Sequence, residues 1–317
     1  RLERKEKQLI IWGAGTKGKK IARLLIERNI KFDWICDNPK KIGKTIMPAP
    51  LKIVSMAPPA VEVENQSNGS VILRSSQGLG KFPDSQNAWI AEWAIKTPDT
   101  IFLADRTGPD GSWRNITYKD FFAQVKAVGQ ALLNRSLTTE RPVSILSDNS
   151  IDNALLLYGA MHIGVPVVPV SPAYSLISQD FSKLKHIVGL TSPGLVYVAD
   201  GIKFGSALNK VDFGGAEIVT STNPPTGINS TPFADFLSVA PTLAVDQAYR
   251  KVGPDTVAKI LFTSGSTGDP KGVINTQRML CSNQQAMSQV WKFLEEKPPV
   301  TIDWLPWNHT FGGNHNL

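Results

Sequence analysis

A short run of small and hydroxyl-bearing residues between two apolar stretches constrains the fold of this chain most. Residues 263–272 contain three glycines, four Ser or Thr residues and one lysine, Lys271. Glycines let a backbone turn tightly, and successive inward N–H groups form a nest that binds anions. Apolar residues flank the run at 260–262 and 273–274. The pattern therefore predicts a strand, a phosphate-binding loop and a second strand.

The loop differs from the P-loop of nucleoside triphosphatases. That motif, G-x-x-x-x-G-K-[ST], opens a helix, whereas here Gly265 and Gly268 are closer together and a glycine follows Lys271. An ordinary turn is the alternative, although turns need only one or two such residues. We expect polyphosphate to bind through Thr263, Ser264, Gly265, Ser266, Thr267, Gly268, Lys271 and Gly272.

Helix-like and strand-like segments alternate along most of the chain. Residues 143–146, 195–198 and 217–219 are predicted strands, and residues 118–134, 152–162 and 181–188 are predicted helices. Strands separated by helices are typical of parallel α/β sheets. Thr117 has a side chain suited to a helix N-cap, and Asn68-Gly69 between two alternating stretches predicts a β-hairpin.

The first 46 residues predict a βαβ unit. An apolar strand is followed by a G-x-G-x-x-G sequence, a helical pattern and a second strand that ends in an acid, the order found in dinucleotide-binding units. The loop residues would be Gly13, Gly15, Gly18 and Asp37. One such unit cannot form a doubly wound sheet, so a structural βαβ remnant without a ligand is the alternative.

Charge and cysteine usage limit the partners of the chain. The net charge is +7, and the excess of basic residues lies before residue 53. Aromatic residues do not interleave with those lysines as a nucleic-acid stacking surface requires, so we expect no nucleic-acid partner and favour a solvated helix face with a charged leader over an anionic membrane surface. Cys36 and Cys281 lack metal-ligand spacing, which favours a cytoplasmic location without disulfides. No apolar stretch reaches the length of a membrane span.

Two further blocks accompany the loop. Residues 304–313 read Trp-Leu-Pro-Trp-Asn-His-Thr-Phe-Gly-Gly, and residues 159–174 run from Gly-Ala-Met-His-Ile-Gly to Ser-Pro-Ala-Tyr. In chain order, the blocks at 159–174, 263–272 and 304–313 resemble motifs of the acyl-adenylate-forming (AMP-binding) superfamily. They are most similar to those of feruloyl-CoA synthase and related aromatic acid–CoA ligases. The resemblance covers about residues 56–317, whereas the first 46 residues resemble a Rossmann-like appendage of bacterial glycosyltransferases.

The resemblance implies a fold and a division into domains. The expected fold is α/β: the N-terminal part of the large domain of an acyl-adenylate-forming enzyme, with layered parallel sheets and helices, preceded by one Rossmann-like βαβ unit. The expected boundaries are residues 1–46 for the βαβ fragment, 47–84 for a linker and leader hairpin, and 85–317 for the adenylation domain.

The resemblance also implies a two-step reaction. A carboxylate attacks the α-phosphate of ATP to form acyl-AMP, and the thiol of CoA then displaces AMP. By resemblance, Lys271 would neutralise the β- and γ-phosphates, and His309 would donate a hydrogen bond near the carboxylate and the α-phosphate. Trp307, Phe311 and Gly312 would line the pocket for an aromatic carboxylic acid. ATP, Mg²⁺ and CoA are the implied cofactors.

In the family, motifs for adenine, ribose, Mg²⁺ and the α-phosphate follow the histidine block, and this sequence holds no substitute for them. We therefore expect an incomplete and inactive hydroxycinnamic acid–CoA ligase. The alternatives are a non-catalytic phosphate-binding module and an inert fusion fragment. His162, on an apolar helix, is expected to be structural; His315 could line the pocket, and the two cysteines are expected to be core residues.

Overall fold

The computed structural model of the chain describes residues 9–12, 22–23, 25–27, 33–35, 57–106, 111–263, 268–296 and 299–316. Several residues singled out in the sequence lie outside the described residues: Ser264, Gly265, Ser266 and Thr267 of the phosphate loop, Gly13, Gly15, Gly18 and Asp37 of the predicted dinucleotide loop, and Cys36. The chain divides into two compact units, Arg1–Phe82 with Ser282–Trp304 and Pro83–Cys281 with Leu305–Leu317.

The secondary structure of the described part of the chain is as follows. The strands are β1 (Leu9–Trp12), β2 (Asp33–Ile35), β3 (Val61–Asn65), β4 (Val71–Ser75), β5 (Ile101–Asp105), β6 (Arg114–Thr117), β7 (Val143–Leu146), β8 (Val167–Pro169), β9 (Leu195–Asp200), β10 (Glu217–Thr222), β11 (Thr231–Pro232), β12 (Val257–Thr263), β13 (Lys271–Thr276) and β14 (Val300–Thr301). The helices are α1 (Gln86–Lys96), α2 (Tyr118–Leu133), α3 (Ile151–His162), α4 (Ala173–Leu176), α5 (Ser182–Thr191), α6 (Gly205–Lys210), α7 (Phe233–Leu237), α8 (Leu243–Tyr249), α9 (Gln277–Val290), α10 (Phe293–Glu296) and a π-helix at Gly312–Asn316. Residues 22–23 and 25–27 are also helical.

The first unit contains a small parallel sheet in which β1 lies between β14 and β2. Leu9 pairs with Val300, and Ile10 pairs with Asp33. Of the predicted βαβ unit, the described residues comprise the two strands and helical residues at 22–23 and 25–27. The pairing of β1 with β14 was not predicted, because the partner strand lies near the other end of the sequence.

A two-stranded hairpin, β3–β4, also belongs to the first unit. Val61 pairs with Ser75 and Asn65 with Val71, in antiparallel register. Gly69 occupies the left-handed region at φ +83°, which suits a residue without a Cβ atom. The Asn68-Gly69 signal therefore predicted this hairpin correctly.

The second unit is built on a seven-stranded sheet in the order β11-β10-β9-β7-β8-β12-β13. Neighbouring strands are parallel except for the last pair, β12 and β13, which is antiparallel. The predicted parallel α/β sheet is confirmed. β5 and β6 form a short antiparallel sheet of their own.

Two hydrophobic clusters form the core of the second unit. Alternate residues of a strand point to opposite sides of a sheet, and every residue of β7 is buried. Val143 and Ile145 belong to one cluster, together with residues of α2 and α3. Leu146 belongs to the other, together with residues of α5 and α6. Helices on both faces explain why the strands read as continuous apolar runs.

Helix ends follow local signals in the sequence. The Thr117 side chain accepts a hydrogen bond from the Asp120 N–H and caps α2, as predicted. The predicted helix at 181–188 in fact begins at Ser182 and ends at Thr191. Phe181 and Ser192, on either side, have left-handed φ angles of 56° and 44°, which stop the helix at those residues.

No helix of the described residues is both long and apolar enough to cross a membrane.

Candidate active site

The antiparallel hairpin β12–β13 carries the predicted phosphate loop between its strands. Thr263 and Lys271 are paired across the two strands where the loop begins and ends. The Thr263 hydroxyl donates a hydrogen bond of 3.5 Å to the Lys271 carbonyl. The prediction that a second strand, and not a helix, follows the loop is confirmed. Both side chains are exposed, so they are available to a ligand at this end of the hairpin.

The second half of the loop rests on α5. The His186 Nε2–H donates to the Pro270 carbonyl at 3.1 Å, and Pro270 is buried. His186 Nδ1 lies 4.0 Å from a carboxylate oxygen of Asp269. At the start of β13, a Cβ atom on Gly272 would lie 3.1 Å from Ile260 and 3.2 Å from Phe262. The glycine therefore lets the two strands and these apolar side chains approach closely.

Residues 305–316 are here called the histidine segment. One side chain, Asn149, holds the start of the segment by two hydrogen bonds, here called the Asn149 clamp. Asn149 follows β7, and its Nδ2 donates to the Leu305 carbonyl at 2.8 Å. Its Oδ1 accepts the Trp307 N–H at 3.0 Å. One amide side chain thus satisfies two backbone groups of the segment, which fixes its position as a strand neighbour would. No signal in the sequence pointed to Asn149.

His309 lies in a tight turn and exposes its ring. The backbone N–H of His309 donates to the Pro306 carbonyl at 3.1 Å, and its backbone carbonyl accepts from the Gly313 N–H at 2.8 Å. The Phe311 N–H donates to His309 Nδ1 at 3.3 Å. Since Nδ1 accepts a hydrogen bond, the proton of the neutral ring lies on Nε2. The exposed ring can therefore donate from Nε2 to an oxygen of a ligand.

The glycines after His309 have a steric reason. Gly312 and Gly313 are buried, and a Cβ atom on Gly312 would lie 2.3 Å from the Pro306 carbonyl oxygen. A Cβ atom on Gly313 would lie 2.3 Å from the Trp307 carbonyl oxygen. Real Cβ atoms do not approach oxygen so closely, so both positions need glycine.

The predicted pocket residues differ in exposure. Trp307 is buried and belongs to the hydrophobic core of the second unit. Phe311 is 36% exposed, and its ring stacks on the His315 ring with centroids 4.9 Å apart. Partial burial lowers the pKa of His315. Of the predicted pocket residues, Phe311 and His315 have rings in direct contact.

Lys259 is a buried lysine that the sequence analysis missed. It lies in β12 with 0% exposure, and its Nζ donates to the Gly313 carbonyl at 2.5 Å. Burial lowers the pKa of Lys259 to about 7. A lone charged residue within the apolar run of residues 257–262 was the signal that could have identified it.

Other titratable residues behave as core residues. Burial lowers the pKa of His162 to about 4, and the ring stacks on Tyr249 with centroids 4.3 Å apart. His162 Nδ1 accepts from the Asn87 amide at 3.2 Å. Burial raises the pKa of the Cys281 thiol to about 12, which makes it a poor nucleophile. The structural interpretation of His162 and Cys281 is confirmed.

Sequence comparison identifies relatives among acid-activating ligases. A family model described as AMP-binding enzyme matches residues 90–317. The 4-coumarate–CoA ligase-like 9 of Arabidopsis thaliana is 29% identical over 208 residues, which cover 62% of this chain and 33% of the relative. The long-chain-fatty-acid–AMP ligase of Mycolicibacterium smegmatis is 29% identical over 246 residues, 74% of this chain and 36% of the relative. The chain thus spans about a third of the length of these two ligases.

Solved structures share the fold. A putative long-chain-fatty-acid CoA ligase from Rhodopseudomonas palustris has a TM-score of 0.55 at 20% identity and covers 73% of this chain and 54% of its own. A fatty acyl-adenylate ligase from L. pneumophila has a TM-score of 0.53 at 20% identity and covers 72% and 36%. The relatives are diverse and do not single out the feruloyl-CoA synthase type. The α/β fold matches the N-terminal large domain of adenylate-forming enzymes, and the chain belongs to the family of AMP-binding enzymes.

Proposed function

We propose that the chain is the phosphate-binding part of an ATP-dependent ligase that activates a carboxylic acid as acyl-AMP. The observation that carries the proposal is the pairing of Thr263 with Lys271 at the open end of β12–β13, within the matched family region. Residues 85–317 are the proposed adenylation domain, and the start of the family match at residue 90 supports that boundary.

The proposed chemistry depends on positioning and charge. A carboxylate oxygen forms a bond to the α-phosphorus, the bond to the β-phosphate oxygen breaks, and pyrophosphate leaves. Negative charge grows on the leaving oxygens, and preformed donors stabilise it best. Lys271 supplies a mobile ammonium group, and Thr263 supplies a hydroxyl, at the mouth of the loop. His309 donates from Nε2 to the carboxylate or to the α-phosphate.

Mg²⁺ is proposed to enter with ATP. The described residues hold no group of three His, Cys, Asp or Glu side chains that could bind a metal by themselves. Mg²⁺ in nucleotide sites is commonly held by phosphates, water and one or two carboxylates. Bound in this way, the ion would withdraw charge from the phosphate oxygens. CoA is the proposed acceptor of the acyl group in a second step.

We propose a hydroxycinnamic acid as the substrate. The name of the Arabidopsis relative, 4-coumarate–CoA ligase-like, supports an aromatic acid. The half-exposed Phe311 ring on His315 offers a flat face suited to an aromatic ring. The Mycolicibacterium relative, whose name gives a long-chain fatty acid, supports the competing class.

The first experiment measures nucleotide binding. Isothermal titration with MgATP is compared between the wild type, Lys271→Ala and the matched control Lys251→Ala, whose side chain is exposed in the second unit. Loss of a charge-assisted contact is expected to weaken binding by about 10- to 100-fold in Lys271→Ala. The control should bind within twofold of the wild type. Equal affinity of all three proteins would refute the assignment of Lys271.

The second experiment measures acid dependence. Exchange of labelled pyrophosphate into ATP is followed with ferulate, p-coumarate, caffeate and a long-chain fatty acid, in a protein that joins this chain to the family's motifs for adenine, ribose and the α-phosphate. Stimulation by the three aromatic acids alone is the expected result, because only a suitable carboxylate drives adenylation. Stimulation by the fatty acid instead would replace the proposed substrate class. ATP binding without exchange for any acid would favour a non-catalytic phosphate-binding module.

A further inference from the structure

The burial of Lys259 demands an explanation. Among the residues that the structure describes, it is the only Lys, Arg, Asp or Glu that is buried, and it is buried completely. Removing a charge from water is costly unless a partner compensates it. The polar contact that the structure gives its Nζ is the Gly313 carbonyl in the histidine segment. A methionine would fill the same space without this cost, so the amine must serve another purpose.

The residue opposite Lys259 binds the same stretch of chain. Lys259 and Asn275 are directly paired across β12 and β13. Lys259 Nζ donates to the Gly313 carbonyl, and Asn275 Oδ1 accepts from Nδ2 of the next residue, Asn314, at 2.9 Å. A cross-strand pair of the hairpin therefore holds two consecutive residues of the histidine segment. Lys259 and Asn275, with their partners Gly313 and Asn314, are here called the dock.

The dock lies on the same face of the hairpin as the phosphate-loop residues. Paired residues and residues two apart in a strand share a face. Lys259 and Thr263 are four residues apart in β12, and their partners Asn275 and Lys271 are four residues apart in β13. At about 3.4 Å per residue, the dock lies roughly 14 Å along the strands from the mouth of the loop. One hairpin thus carries the loop at one end and contacts the histidine segment at the other.

His309 lies between two anchors of the segment. The Asn149 clamp holds residues 305 and 307 before it, and the dock holds residues 313 and 314 after it. The Gly313 N–H in turn donates to the His309 carbonyl. A movement of Gly313 is therefore transmitted directly to the backbone of His309.

We propose that Lys259 is a positioning residue that acts through Gly313 to fix His309 relative to the phosphate loop. The proposal rests on the proposed function for the roles of the loop and of His309. Lys259 itself is fully buried and is given no contact with the substrate in this proposal. Its amine ties the histidine segment to the strand that leads into the loop, so that the two parts of the site keep one spacing.

Amide hydrogen exchange of the ligand-free protein tests whether the Lys259 amine holds the histidine segment in place. Peptides from residues 305–316 are compared in the wild type, Lys259→Met, Lys259→Arg and the exposed control Lys251→Met. Lys259→Met keeps the apolar volume without a donor and is expected to speed exchange of the Gly313 amide at least tenfold. Lys259→Arg retains a donor and should restore protection to within threefold, and Lys251→Met should not change it.

The results can overturn the proposal. Protection within twofold of the wild type in Lys259→Met would show that the amine does not hold the segment. If Lys259→Met does not fold, Asn275→Leu removes the paired anchor, and unchanged exchange of residues 305–316 in that variant would refute the dock.

Kinetics separate positioning from simple stability. In the protein with adenylation activity, Lys259→Met is expected to leave the KM for ATP within threefold and to lower kcat about 10- to 100-fold, because a misplacement near 1 Å has effects of that size. A change in KM alone would contradict the proposal. Failure of MgATP to bind the wild type would refute the proposed function, while the exchange contrast would still decide the role of Lys259.

Discussion

At the scale of single residues, burial sets the protonation of two basic side chains, one beside the histidine segment and one in the core. Lys259 and His162 both lose water on folding, and both have a pKa below the ordinary value. A base whose pKa is lowered favours its neutral form in the native state. Lys259 can therefore hold the Gly313 carbonyl as an amine without a full buried charge near neutral pH.

Stability is expected to rise with pH because of Lys259. Its native pKa of about 7 lies below the ordinary value of 10.5, so the unfolded chain binds more protons between these pH values. The free energy of unfolding should increase by roughly 1 kcal/mol per pH unit from pH 7 to pH 9. Urea unfolding at pH 7, 8 and 9 should show this increase in the wild type and lose it in Lys259→Met. Parallel pH profiles of the two proteins would contradict the native pKa.

The Asn149 clamp is expected to depend on its amide nitrogen. In Asn149→Asp, a carboxylate oxygen replaces the donor that faces the Leu305 carbonyl. Loss of the hydrogen bond and the added repulsion should lower the free energy of unfolding by about 1–3 kcal/mol. Asn229→Asp, at an exposed position, is the control and should stay within about 0.5 kcal/mol in urea unfolding. An equal, small effect of both substitutions would show that the clamp contributes nothing.

At the scale of elements, contacts between helices decide whether a glycine within a helix can be replaced by a larger residue. Gly159 lies in α3 and Gly189 in α5. A Cβ atom on Gly159 would lie 2.5 Å from Val128 Cγ1, whereas nothing lies within 4 Å of one on Gly189. The first glycine permits the close approach of α2 and α3, and the second has no such role.

The two helix glycines should respond in opposite directions to alanine. Gly189→Ala is expected to raise the free energy of unfolding by about 0.5–1 kcal/mol, since alanine favours helix. Gly159→Ala should lower it by about 1–3 kcal/mol through overpacking. Chemical unfolding of both variants measures the contrast. Stabilisation by both would mean that α2 and α3 separate without cost.

At the scale of the whole molecule, protection should follow burial within each unit. Every residue of β7 is buried in the second unit, whereas every residue of β3 is exposed in the first. Buried sheet centres open only with global unfolding, and exposed hairpins open locally. Native-state hydrogen exchange should therefore be slowest in β7 and β9 and fastest in β3 and β4. Equal protection of β3 and β7 amides would contradict this description.

Local signals in the sequence predicted much of this fold. The Thr117 cap, the Asn68-Gly69 turn and the strands around the phosphate loop were all predicted, because each depends on residues adjacent in the chain. The helix at 182–191 was placed less accurately, because left-handed conformations at Phe181 and Ser192 have no clear sequence signal. The roles of Thr263, Lys271 and His309 stay predictions to be tested by ATP binding and by acid-dependent exchange.

The sequence by itself determined the α/β class, the strands on either side of the predicted phosphate loop and the turn at His309, since periodicity and residue type act over short stretches. Only the tertiary structure decided what holds that turn. Asn149 and Leu305 are 156 residues apart, and Lys259 and Gly313 are 54 apart. Such pairs form when the sheet closes its core, and their geometry depends on how strands and helices pack and not on any local pattern.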